Sequence, residues 1–179
     1  MVLARLFRRK PFEREGYQLY GAAVAAARAP GYYLEYGVPD SLPGRFDLVG
    51  LHVALLIRRL RHDADVAGKD LAQAVFDAMF NDMDVSLREM GVGDMSIHRR
   101  VKTLWEAFNG RAQAYEAALD AGDATALAEV LLRNLWAEAA PGDATAPARL
   151  AARAMALDAA LASREMAALR QGRLEFPPL

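Results

Sequence analysis

Asp77, Asp82, Asp84 and Glu89 form the densest group of side chains in this chain that could hold a cation or move a proton. Their spacing excludes a calcium loop. Counted from Asp82, the sixth position is Leu87, where such a loop needs glycine, and the twelfth is Gly93, where it needs glutamate. A di-iron carboxylate bundle needs Glu-x-x-His pairs on inward faces, and the sequence has none. The acids read as a solvated helix face or as an acidic surface that meets a basic partner. The histidines are equally isolated. His52 lies in an apolar run and reads as a hydrogen-bonded core residue rather than a base; His62 follows a basic helix end; His98 stands four residues after Asp94. Ser41 belongs to Asp-Ser-Leu-Pro-Gly (40–44), a turn sequence without the G-x-S-x-G frame of a nucleophile elbow. Gly-Val-Gly-Asp (91–94) lacks the Lys-Ser/Thr of a phosphate loop and reads as an interhelical turn. An enzyme acting through His52 or the carboxylates is the competing reading, but no catalytic residue, metal or cofactor is assigned.

Composition narrows the classes further. The 179 residues suit one domain with its own core. There are no cysteines, which removes disulfides, thiolate nucleophiles and Cys-based metal sites. The net charge of -1 lacks the basic excess of a nucleic-acid binder, so no nucleic-acid partner is expected, and no small-molecule substrate either. One stretch departs from that average: Arg5, Arg8, Arg9 and Lys10 make residues 1–10 a basic segment, with Leu3, Leu6 and Phe7 on one side. This segment is expected to touch an anionic membrane surface. The longest apolar stretch, 48–57, is far short of the ~20 residues of a membrane span. The chain is therefore expected to be cytoplasmic and peripheral at a membrane.

The elements that must position these groups are helices. Apolar residues recur at helical spacing and no Val/Ile/Thr-rich alternating segment occurs, so the expectation is an all-α, single-domain bundle of about six helices. They are placed at 12–28, 45–61, 70–90, 94–119, 124–138 and 147–170. Residues 11–171 make the helical domain, and 172–179 a C-terminal tail. Residues 29–44 hold Pro30, Gly31, Gly37, Pro39, Pro43 and Gly44. They are read as a long ordered loop without helix, packed through its aromatics. Asp94 or Ser96 is expected to cap the fourth helix, whose buried stripe would include Leu104, Trp105, Phe108 and Tyr115. A close helix crossing is expected at Gly110. Two ion pairs are read from spacing, Arg45 with Asp47 and Arg111 with Glu116. A further expectation has Asp40 or Asp47 pinning Arg45 beneath the loop.

Three irregular islands stand among these helices: YGVPDSLPGRFDLVGLHVALLIRRLR (36–61), VFDAMFNDMDVSLREMGVGD (75–94) and RVKTLWEAFNGRAQAYEAAL (100–119). A plain bundle needs none of these particular Gly, Pro, Asp, Arg and Tyr combinations. At the islands, and more weakly at LLRNLW (131–136), the sequence resembles the ubiquinol–cytochrome c chaperone family, assembly factors of the ubiquinol–cytochrome c reductase of mitochondria with relatives in alpha-proteobacteria. Two departures stand out: Asn109, where members often carry an aromatic, and Ile97-His98, where a proline is common. The resemblance implies a mostly helical, non-enzymatic factor. Such a factor binds newly made cytochrome b, or another subunit, and promotes its entry into the complex. In mitochondria such proteins work with a partner assembly factor near the ribosome exit, and the resemblance implies the inner membrane as the one touched. The alternative is a membrane-surface adaptor with no respiratory client.

The residues expected to meet a protein partner are Tyr33, Tyr36, Asp40, Arg45, Phe46, Asp47 and His52 around the loop and second helix. Asp82, Asp84, Arg88 and Glu89 on the third helix and Arg111 and Tyr115 on the fourth complete the set.

Overall fold

The computed structural model describes residues 11–179, and eight helices run through them. Arg5, Arg8, Arg9 and Lys10, assigned above to membrane contact, lie outside the described residues. The helices are α1 (Glu13–Ala27), α2 (Gly31–Leu34), α3 (Leu42–Arg61), α4 (Val66–Glu89), α5 (Asp94–Ala121), α6 (Ala124–Leu135), α7 (Ala146–Ala162) and α8 (Met166–Leu169). The fold is all-α and forms a single domain; α2 and α8 are single turns beside six longer helices.

Helix α3 is the hub. It packs against α1, α4, α5, α6 and α7, because its apolar residues cover most of its circumference. Leu48, Leu51, Val53, Leu55, Leu56 and Leu60 are all fully or almost fully buried. Helix α4 lies along α1, and the two approach tightly at Gly16. A Cβ there would sit 2.7 Å from the Ala74 carbonyl carbon. The close crossing expected at Gly110 does not exist, since nothing lies within 4 Å of a Cβ built there.

The boundaries correct several expectations. Residues 29–44 are not free of helix. Pro30 precedes the α2 turn, and α3 starts three residues earlier than expected. Ser41 caps α3, accepting from the Gly44 amide at 3.2 Å, and Pro43 occupies the first turn, where its missing N–H costs nothing. Helix α4 likewise starts at Val66, capped by Asp65. Neither Asp94 nor Ser96 caps α5: Gly93 is the cap residue, and Asp94 is the first helical position. Helix α6 ends at Leu135, and the last expected helix is broken after Ala162. There Ser163 Oγ turns back to the Ala160 carbonyl at 2.7 Å.

Residues 172–179 lie against the bundle. Arg153 donates to the Pro177 and Pro178 carbonyls at 2.6 and 2.8 Å, and the Phe176 ring stands 5.5 Å from that of His52.

Candidate protein-binding surface

The expected partner residues fall into separate groups. Around α2, Tyr32 is buried, while Tyr33 and Tyr36 are half-buried. Tyr33 donates its hydroxyl to the Ala27 carbonyl at 3.3 Å, and the Arg149 guanidinium stacks 4.9 Å from the Tyr36 ring centre. Arg45 donates to Asp40 at 2.5 Å, and this exposed bond holds the Asp40 carboxyl below the ordinary carboxylate range. Asp40 and Arg45, with Arg28, Tyr33 and Leu34, line an open cleft of about 340 Å³. The rim is apolar as well as charged, for Leu34 is 82% exposed.

A second group lies in the seam between α3 and α5. Asp47 is buried, and Arg111 donates to it at 2.5 Å. Both ion pairs read from spacing are thus re-partnered: Arg45 takes Asp40, and Arg111 takes Asp47. Glu116 instead lies 3.8 Å from Arg58. Sequence distance hid the Asp47–Arg111 pair, because helix packing alone brings positions 64 residues apart together. Burial pushes the Asp47 carboxyl up to about 6, against the opposing pull of Arg111. Phe46 lies under the Arg111 guanidinium, 5.9 Å away, and buried Tyr115 accepts from Asn134 at 3.5 Å. Burial pushes the Tyr115 hydroxyl up to about 12.

His52 is interior. Its Nδ1 lies 2.8 Å from the Leu48 carbonyl, which can only accept, so Nδ1 carries the proton and Nε2 accepts from Tyr32 Oη at 3.0 Å. Burial lowers the imidazole to about 4, and it is neutral at physiological pH. Neither His52 nor Asp47 offers its side chain to solvent.

At the far end of α4, Asp82 accepts from the buried Tyr20 hydroxyl at 2.7 Å. Arg88 bridges Asp84 at 2.7 Å and Asp94 at 2.6 Å, clamping the turn between α4 and α5. Glu89 is exposed. Part of the acidic run therefore braces the fold. Among the described residues no group of His, Asp and Glu has the geometry to hold a metal ion.

The sequence reading missed a further opening. Between the end of α3, the first half of α4 and the middle of α5 lies a cleft of about 530 Å³. Its apolar lining includes Ile57, Phe76 and Trp105. Phe76 stacks against Phe80 at 4.7 Å and against Phe108 at 5.9 Å, giving the cleft a firm floor. Trp105, expected in the core, is 46% exposed. Val85, Met90 and Met95, all exposed, extend this apolar character along the α4–α5 hairpin. The signal was present in the length of α5: its 28 residues reach about 42 Å, far beyond the 12-residue α6 beside it.

This is a single-domain helical scaffold with open, aromatic-lined clefts. Residues 34–176 match the sequence profile of the ubiquinol-cytochrome C chaperone family, and the chain belongs to that family. It is also similar to a solved structure, the crystal structure of the Cbp3 homolog from Brucella abortus. The two share 36% identity and a TM-score of 0.82, over 98% of this chain and 97% of that one. A comparison with curated proteins gave no significant match. Among the described residues no helix is long and apolar enough to cross a membrane.

Proposed function

We propose that this chaperone binds newly made cytochrome b and promotes its assembly into the ubiquinol–cytochrome c reductase complex, acting by recognition and without chemistry of its own. The observation that carries the reading is family membership over 34–176 together with exposed apolar clefts on a rigid bundle. Apolar patches rimmed by charge suit a transient protein client. The contacts we assign are the α2 cleft with Tyr33, Asp40 and Arg45, the α3/α4/α5 cleft, and the exposed acid Glu89. Tyr36, Phe46, Asp47, His52, Arg111 and Tyr115 hold these surfaces in shape; Asp82, Asp84 and Arg88 brace the α4 end. The basic segment 1–10 would keep the molecule at the membrane where the client inserts, and 11–171 would form the working domain. Deleting the gene should lower both membrane cytochrome b and ubiquinol–cytochrome c reductase activity. Unchanged levels of both in the deletion strain would refute the assignment. Flotation on anionic liposomes, with and without residues 1–10, tests the membrane contact.

A further inference from the structure

The α3/α4/α5 cleft carries a charge bias that the whole chain does not have. Among the described residues its charged lining residues are Arg61, at the end of α3, and Lys69, in the first turns of α4. Both are exposed, and among the described residues neither forms an ion pair. The contrast with the neighbouring Arg58 is informative. That guanidinium is neutralised by Asp120 at 2.6 Å and Asp158 at 3.2 Å. The acids nearest in sequence do not line the cleft: Asp63 and Asp65 accept from Arg170 at 2.7 and 3.0 Å, Glu106 faces Lys102 at 3.7 Å, and Asp70 and Asp77 lie outside the lining. Below the two cations lie Ile57, Phe76 and Trp105, with the amides of Gln73 and Asn109 at the edge. A chain of net charge -1 thus presents two positive groups without an ion pair in a cleft with an apolar lining, the nearby Glu116, in the adjoining cavity that Arg61 also lines, lying 3.8 Å from Arg58.

We propose that this cleft takes an acidic amphipathic helix of the client. Apolar side chains one turn apart would fill the floor, and carboxylates on their flank would meet Arg61 and Lys69. The volume of about 530 Å³ holds a few side chains, and a groove between helices is the setting in which a helix docks by i, i+3 and i+7 anchors. The proposal rests on the chaperone reading and specifies the chemistry of its client segment.

The reporter is built in. The chain has two tryptophans; Trp136 is buried, so Trp105 alone should respond to a ligand in the cleft. The probe is a synthetic amphipathic helix with leucines at i, i+3 and i+7 flanked by glutamates, and its twin has lysines in their place. The full-length protein should bind the acidic peptide with a blue shift of tryptophan emission that Trp105→Phe abolishes. The double variant Arg61→Glu, Lys69→Glu should weaken that binding about tenfold, two exposed ion pairs having been reversed. Its unfolding midpoint checks that the fold is intact. Equal affinity for both peptides, an unchanged affinity of the double variant, or a Trp105 shift given by anionic phosphatidylglycerol vesicles and not by peptide would each overturn the proposal. In cells, failure of the double variant to restore membrane cytochrome b to a deletion strain supports the cleft. Full restoration overturns the cleft assignment while leaving the assembly role intact. Absence of any cytochrome b defect in the deletion strain overturns the assembly role itself.

Discussion

Replacing His52 with glutamine should remove much of this protein's sensitivity to mild acid. The imidazole is enclosed by Tyr32, the Leu48 carbonyl and Phe176, and it feels the repulsion of Arg153. Its value falls from 6.5 to about 4, with burial as the leading cause. A depressed histidine makes the folded state bind fewer protons than the unfolded state. Its contribution to stability is therefore full above pH 6.5 and is lost as pH falls toward 4. At pH 5 the unfolded chain's imidazole is mostly protonated and the buried one mostly neutral. Linkage then gives a loss of ~2 kcal/mol between pH 7.5 and pH 5. Glutamine preserves the geometry without the titration, since its amide can donate to Leu48 and accept from Tyr32. The assay is urea unfolding of both proteins at the two pH values. Asp47 and the ion-paired carboxylates titrate in both, so the difference between the proteins isolates His52. Equal pH dependence of wild type and His52→Gln would refute the tautomer and burial argument.

The remaining predictions concern packing and charge. Gly16→Ala should destabilise the fold by roughly 1–3 kcal/mol, because its Cβ meets the Ala74 backbone 2.7 Å away; thermal unfolding measures it. Gly110→Ala should instead stabilise by up to ~1 kcal/mol, since it is helical with open space around it. Arg111→Gln should cost about 3 kcal/mol near pH 7 by leaving the Asp47 carboxylate buried alone. Arg111 holds the Asp47 carboxyl down, so without it the carboxyl takes up its proton at a higher pH; the loss should grow as pH rises above about 6 and be smallest below it, and a loss independent of pH would contradict the pairing.

How much was legible in the sequence varies by element. The α3 stripe could be read directly, because a helix buried all round is apolar at nearly every position from Leu48 to Ile57. His52 could be read as a core residue for the same reason. The start of α3 could not: Pro43 and Gly44 look like helix breakers until Ser41 is seen capping the turn they occupy. The Arg111–Glu116 pair failed because spacing within one helix says nothing of a stronger partner on another, whereas Arg45 took Asp40, the partner offered just before its own helix, in place of Asp47. Arg59 also acts between helices: its guanidinium reaches the Leu161 and Arg164 carbonyls on and beyond α7.

By itself, then, the chain's residue order determined the helical class, the hub helix and the family, since periodicity and unusual local motifs are properties of neighbouring positions. Only tertiary structure decided that Asp47 faces Arg111, that residues 172–179 close over His52, and that Trp105 and Arg61 stand open at one cleft. Apolar periodicity tells which face of α5 could be covered. Whether another helix extends far enough to cover it depends on the lengths and crossing points of α3, α4 and α6, which no local pattern records.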